Sequence, residues 1–293
     1  MTHVWDPEIE KEFERFLQLD YPGSPEVWLI LDARTPGADD IARRFKRTHV
    51  IEESELFSRL PYPRLERQTL LDHVHFPVMD FYLAHPGFDY YWVVEFDVRY
   101  TGEWESFLRS YEAYDHDLIT SHIRHYHQEP TFYWWHTLQH PTEKIDKARY
   151  LRSLNVIYRI STRALALLHE KQKDGWQGFI EVLFPTLLEY NGYTLLDFGG
   201  NGEYTPDGHK NTAYTSGSTK DGSLNPFCTM HWRPSGARAG IRRNMIYHPV
   251  KPDAIREPLK KRIEYFKGWT GMYIRERLSG YIRYIRSCNS DIH

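Results

Sequence analysis

Hydrophobic positions in the first hundred residues alternate between two periods. In "DPEIEKEFERFLQL" (residues 6–19), Ile9, Phe13, Phe16 and Leu17 share one helical face. Asp6 stands as the N-cap and Pro7 takes the first helical position. The preceding "THVW" reads as the last residues of a strand. "VWLILDAR" (residues 27–34) is a continuous apolar run of strand length that closes on Asp32. "ADDIARRF" returns to the helical period, and "THVIEES" is a short strand running into acids. "FPVMDFYLAHPG" (residues 76–87) is a helix stopped by Pro-Gly. "YYWVVEFDVRYTG" (residues 90–102) then sets five large residues, Tyr90 to Val94, directly ahead of Glu95, Phe96 and Asp97. Helix alternating with buried strand predicts an α/β domain: a Rossmann-like, mostly parallel sheet flanked by helices.

Further along, "DLITSHI" and "NVIYRIST" predict strands and "RALALLHEKQK" a helix. "GFIEVLFPTLLEYNG" (residues 178–192) predicts a helix kinked at Pro185 and stopped at Gly192. The polar Gly/Asn/Thr/Ser stretch 199–222 predicts a mobile loop. "NMIYHPVK" is a short strand ending at His248, and residues 258–286 form a basic helix.

Composition narrows the functional classes. A formal net charge of -3 over 293 residues does not suggest a nucleic-acid binder. No apolar window of about 18 residues occurs, so any membrane contact is expected to be peripheral. The charged start, "MTHVWDPEIEKEF", does not read as a signal peptide, and Cys228 and Cys288 form no CxxC pair, so a cytoplasmic setting is expected. Aromatics reach 15%, with nine Trp; ring faces of this kind suit sugars, and they equally fill cores.

The acids after Val94 carry the first chemical argument. In an extended segment residues i and i+2 point the same way, so Glu95 and Asp97 can face one pocket. Two such carboxylates repel, and a hard divalent cation relieves that repulsion. Mg²⁺ or Mn²⁺ fills its remaining positions with water and phosphate oxygens, which suits departure of a phosphate-bearing group. The plain alternative is a strand end with solvated acids, one of them paired to Arg99. Asp32, Glu95 and Asp97 all close strands, where ligands bind in open α/β sheets.

This acid-x-acid strand end, with about ninety residues of βα chain before it, resembles the DxD region of GT-A fold glycosyltransferases. More closely, "HPGFDYYWVVEFDVRYTGEWESFL" is similar to a little-characterised group of bacterial and fungal proteins, regarded as GT-A glycosyltransferases, that share a YWxxExDVRxTGxW core. Here the first acid is Glu95, a departure from strict DxD. The resemblance implies a GT-A-like catalytic domain over residues 1–254, with a nucleotide-sugar half (1–115) and an acceptor half (116–254), and a basic amphipathic tail (255–293). It implies transfer from a nucleotide-diphosphate sugar, UDP-sugars favoured, to a hydroxyl of a surface glycan or lipid-linked saccharide, with inversion favoured. Asp97, Glu95 and His248 would hold Mn²⁺ or Mg²⁺, and Lys251 would pair with the diphosphate. Asp32 and residues 2–5, His3 among them, fall where nucleoside contacts are expected on fold grounds. Glu181, an acid in an apolar helix, is the expected general base, with Glu189 as its rival.

Other motifs keep competing readings. His122, His125 and His127 lie within six residues, yet their spacing fits no helical zinc motif. His122, Trp134 and Trp135 are instead expected to line the acceptor pocket; a packed aromatic subdomain is the alternative. "LLDFGGNGEY" (residues 195–204) reads like the first motif of a SAM-dependent methyltransferase, or else as the root of a lid over the donor. The tail carries Lys260, Lys261, Arg262, Lys267, Arg275, Arg277, Arg283 and Arg286 against Glu264 and Glu276. With Ile274, Leu278, Tyr281, Ile282 and Ile285 at helical spacing, it suits an anionic membrane surface on the inner face or a docked helix with a solvated face. A glycan-binding protein without catalysis remains the non-enzymatic alternative.

Overall fold

The computed structural model describes residues 1–290, with side chains as far as residue 280. The expected tail residues Tyr281, Ile282, Arg283, Ile285 and Arg286 therefore lie outside the described side chains. The strands are β1 (Leu29–Asp32), β2 (Thr48–Ile51), β3 (Tyr90–Val94), β4 (Arg99–Tyr100), β5 (Leu118–His125), β6 (Leu151–Ser161), β7 (Leu195–Asp197) and β8 (Ile246–Tyr247). The helices are α1 (Pro7–Leu17), α2 (Ala38–Arg44), α3 (Glu53–Arg59), α4 (Phe76–Ala84), α5 (Trp104–Arg109), α6 (Thr162–Asp174), α7 (Ile180–Tyr190) and α8 (Leu259–Ser290). Asp6 caps α1 by accepting from the Ile9 amide at 2.8 Å, and Pro7 opens the helix.

The sheet is mixed, which corrects the mostly parallel expectation. β1 and β2 are parallel, and so are β5 and β7. β6 runs antiparallel to both of its neighbours, β3 and β5, in the order β3-β6-β5-β7. The reason lies between β5 and β6. Only 3-10 turns occupy that aromatic-rich connection, with no helix to carry the chain back to the other end of the sheet, so β6 returns beside β5 in the opposite sense. β4 and β8 form a separate antiparallel pair.

Met1 and Thr2 join the two larger sheets. The Thr2 amide donates to the Ile30 carbonyl at 2.9 Å and the Asp32 amide to the Thr2 carbonyl at 3.0 Å. On the other side the Phe96 amide donates to the Met1 carbonyl at 3.1 Å, and the Met1 amine to the Val94 carbonyl at 3.0 Å. "THVW" thus contributes a single bridge, Thr2 against Leu31, rather than a strand. Beside it a cavity of about 230 Å³ opens between α1, β1 and β3, lined by Trp5, Phe13, Trp28, Tyr91, Trp92 and Val93.

α7 is mostly apolar: Ile180, Val182, Leu183, Phe184, Leu187 and Leu188 are all buried, and the helix packs chiefly on β6. Pro185 lies inside this continuous helix and lacks the amide that would bond the Glu181 carbonyl. The 199–222 stretch is not a loose cover: Tyr214, Ser216 and Thr219 are buried, and the Tyr214 hydroxyl donates to Asp197 at 2.8 Å. Among the described residues no helix is long and apolar enough to cross a membrane.

Candidate metal and donor site

β3 ends where its last partner, Val94, pairs with Ile157, and the Glu95 amide still bonds the Val156 carbonyl at 2.9 Å. Glu95 and Asp97 therefore leave the sheet at its carboxyl edge. The β4–β8 pair brings the distant part of the site to them. Arg99 pairs with Tyr247, and the Val250 amide donates to the Asp97 carbonyl at 2.8 Å, so His248 and Lys251 flank Asp97. The ligand atoms of Glu95, Asp97 and His248 all lie within 4.8 Å of one another. His248 Nε2 stands 3.5 Å from Asp97 Oδ1, and Lys251 Nζ 3.4 Å from Asp97 Oδ2.

His248 is oriented for ligation. Its Nδ1 lies 2.8 Å from the His231 carbonyl, which can only accept, so Nδ1 carries the proton and Nε2 faces the acids. Its backbone is clamped as well: its amide donates to the Thr229 carbonyl at 3.0 Å, and its carbonyl accepts from the His231 amide at 3.1 Å. Asp97 Oδ1 is buried and has no hydrogen-bond partner. A buried carboxylate oxygen left unpaired beside a second carboxylate and an imidazole nitrogen is a donor set that Mn²⁺ or Mg²⁺ fits.

The electrostatics follow from crowding. Burial, and then the Asp97 charge, push the Glu95 carboxyl up to about 8. Burial works to raise Asp97 too, but His248 and Lys251 outweigh it and hold that carboxyl at about 2. Burial works to lower His248, and the attraction of Asp97 raises it instead. Burial depresses the Met1 amine to about 6 against the pull of Glu95 and Asp97. One proton is thus held on the pair of acids near neutral pH, a charge deficit that a cation would supply.

His3 and Asp32 stand on the same edge. Burial and the Lys251 charge lower the His3 imidazole, while Asp32 and Asp97 pull it up. The His3 ring meets Phe96 edge-on at 4.9 Å. Asp32 is held by Arg34, whose Nε lies 3.0 Å from Oδ1 and whose terminal nitrogen lies 2.6 Å from Oδ2. Arg34 in turn pairs with Glu53. The five residues expected around the donor are therefore gathered, with the Asp32 carboxylate already engaged.

Residues 38–117 match the family model described as "Protein of unknown function (DUF3405)". None of the curated proteins matches the chain. The matched stretch contains Glu95 and Asp97, and it stops before Glu181, His248 and Lys251.

Glu181 sits in the first turn of α7, buried, and burial pushes its carboxyl up to about 7 against the pull of Arg152. His248 is near enough for its charge to act on Glu181, so the triad and this acid share one region. The rival Glu189 lies at the other end of α7, half-buried and paired with Arg149 at 3.2 Å.

The acceptor residues require correction. His122 is fully buried, its Nε2 2.9 Å from Glu129 and its Nδ1 3.0 Å from the Ser216 hydroxyl. The cause is a bulge. β5 shifts register between Ile119 and Ser121 and again between Ser121 and Arg124, and His122, inside the second shift, takes a φ of 54°, which turns its ring into the core. Trp135 is buried too, its indole N–H donating to the Glu129 carbonyl at 2.8 Å. Trp134 stacks on Phe179 with centroids 4.3 Å apart. These residues form the packed aromatic subdomain. His125 and His127 stack on each other at 5.5 Å, away from the partners of His122, and the three do not form a metal cluster.

Sequence reasoning missed Arg152 and Glu129. Arg152 is buried in β6, 3.0 Å from Glu129 and 3.3 Å from Glu181, with its guanidinium 3.5 Å over the Phe132 ring. The available signal was an arginine near the start of the strand-like run "LRSLNVIYRI", since a buried charge demands partners. Arg152→Met leaves Glu129 and Glu181 facing each other without a cation. We expect it to lower unfolding stability by about 3–5 kcal/mol in urea titration. An unchanged midpoint would show that the network is idle.

Proposed function

We propose that the chain is a metal-assisted glycosyltransferase that moves a sugar from a nucleotide-diphosphate donor, UDP-sugars favoured, to a saccharide hydroxyl. The observation that carries this reading is the Glu95–Asp97–His248 cluster with its unpaired Asp97 oxygen and Lys251 beside it. The strand arrangement supports it: Met1 and Thr2 link β1 to β3, so Asp32, Glu95 and Asp97 share one carboxyl edge, where nucleotides sit in α/β sheets. The GT-A fold itself is part of the proposal.

A bound Mn²⁺ or Mg²⁺ would neutralise charge gathering on the departing diphosphate. Asp97 and Glu95 supply the carboxylates for it, and His248 an imidazole nitrogen fixed by its bond to His231. Lys251, partly exposed next to Asp97, offers a point charge to phosphate. His3 and Asp32 border the same edge and would contact the nucleoside. Glu181 would take the proton of the acceptor hydroxyl as its oxygen bonds to the anomeric carbon and the bond from that carbon to the diphosphate breaks. That is the inverting course. Burial leaves Glu181 basic enough to accept a proton near neutrality while Arg152 steadies its ionised form.

A thermal-shift panel tests the reading. A UDP-sugar that stabilises the protein only with Mn²⁺ supports it. Stabilisation by SAM and by no nucleotide sugar sinks it. The β7 end gives the methyltransferase alternative no support. Asp197 is buried under the Gly199 and Gly200 amides at 3.2 and 3.0 Å, and turns rather than a helix follow it.

The membrane-surface expectation belongs to the same proposal. Leu259, Ile263, Ile274 and Leu278 are exposed on α8, with Lys260, Lys267 and Arg275 between them. Sedimentation with vesicles rich in phosphatidylglycerol should retain the protein at low salt and release it at high salt. Equal retention by neutral phosphatidylcholine vesicles would contradict the basic-face argument.

A further inference from the structure

α8 does more than close the chain. It is pinned to the 220–223 turn: the Lys220 amide donates to Glu276 at 2.8 Å and the Trp269 indole to the Ser223 carbonyl at 3.2 Å. Between this helix and the end of β5 runs an open groove of about 450 Å³, lined by Arg124, Asn201, Ser218, Asn225, Trp269 and Tyr273 among others. Its chemistry is distinctive. The Trp269 and Tyr273 rings stack with centroids 5.0 Å apart and planes 16° apart, and Arg277 lies 5.2 Å over the Tyr273 ring. Opposite them the Arg124 guanidinium is held in place by the Ile123 carbonyl at 2.8 Å and by the Asn201 side chain. Glu203, the only acid of the lining, is paired with His125 at 3.4 Å.

A half-buried indole, amide side chains and two guanidinium groups around an open trough match one ligand chemistry. A pyranose ring offers an apolar C–H face to an indole, hydroxyl edges to amides, and, when it is a uronic acid, a carboxylate to arginine. We propose that this groove seats the acceptor, an oligosaccharide bearing carboxylates, with a ring against the half-buried Trp269 indole, which Tyr273 backs from between Trp269 and Arg277, and its acid groups toward Arg124 and Arg277. The groove is wired to the proposed base. The Ser218 hydroxyl bonds Glu129, Glu129 pairs with Arg152, and Arg152 with Glu181. The word acceptor rests on the proposed transfer; the binding of such a saccharide does not.

Titration calorimetry in EDTA, without donor, separates the two claims. The probes are a galacturonic acid tetramer and neutral cellotetraose. The galacturonate is expected to bind at least about tenfold more tightly than cellotetraose, and Trp269→Ala to weaken it by about tenfold or more. A second variant guards against misfolding. Gly217 lines the groove and a Cβ there meets nothing closer than 3.8 Å, so Gly217→Phe crowds the trough without entering the core. It should weaken the galacturonate equally. Failure of both sugars to bind, or unchanged binding in both variants, overturns the proposal. Equal affinity for cellotetraose overturns the carboxylate assignment. Donor and Mn²⁺ stabilisation that persists when galacturonate fails leaves transfer standing without this groove. Galacturonate binding without any donor response leaves the groove standing without transfer.

Discussion

Asp97→Asn is expected to abolish the Mn²⁺-dependent stabilisation by a nucleotide sugar and to lower kcat/KM by at least about 100-fold. The substitution keeps side-chain size, and it keeps the backbone bond that accepts from Val250. What it removes is the charge that His248 and Lys251 face at 3.5 and 3.4 Å. Without that charge the burial of His248 goes uncompensated and favours its neutral form, and Lys251 loses its carboxylate partner. Glu95→Gln is expected to act in the same direction and less severely, because Glu95 binds its proton near neutrality and is ionised only when a cation displaces it. For the same reason Mn²⁺ affinity should rise as pH is raised towards about 8, where Glu95 gives up that proton unaided. Isothermal titration at several pH values measures this. An Asp97→Asn protein that still responds fully to donor and metal would remove the cluster from the mechanism.

The second large effect is at Glu181. Glu181→Gln should reduce kcat by about 10²–10⁴-fold while donor binding persists, since the amide cannot accept the acceptor proton. Burial raises this carboxyl to about 7, so with donor saturating, kcat should climb as pH rises through about 7 and level off above it. The sign follows from the role: the base works only when deprotonated. The same shift bears on stability. The folded state holds this proton more tightly than the unfolded chain, so the contribution is full below pH 4.5 and is lost as pH rises through about 7. A pH profile that keeps its rising limb in Glu181→Gln would assign the titration to another group. Glu189, half-buried at the far end of α7 and paired with Arg149, should be replaceable by Gln with little change in rate.

The site was legible in the sequence to the extent that local geometry decides it. Glu95 and Asp97 are two residues apart at a strand end, and alternation alone directs them to one side. Glu181 stood out because an acid in a mostly apolar helix is expected to be buried, and it is. The acceptor residues were misjudged for a physical reason. A bulge with a positive φ at His122 reverses where a strand side chain points, and no periodicity announces a bulge. Trp134 and Trp135 looked like a platform, but Phe179 and the Glu129 carbonyl claim them. Trp269 and Tyr273, which border the open groove, lie in a helix whose pattern suggested a membrane face or a docked helix with a solvated face.

The sequence by itself determined most of the helices and longer strands, the acids at their ends and the buried helix, because each follows from spacing over a few residues. Only the tertiary structure decided the direction of β6, the union of His248 with Asp97 and the chain from Ser218 through Arg152 to Glu181. Those arise from pairings between segments far apart in the chain, such as Arg99 with Tyr247, whose register depends on backbone hydrogen bonds across the fold. Spacing along one segment carries no record of such a partner.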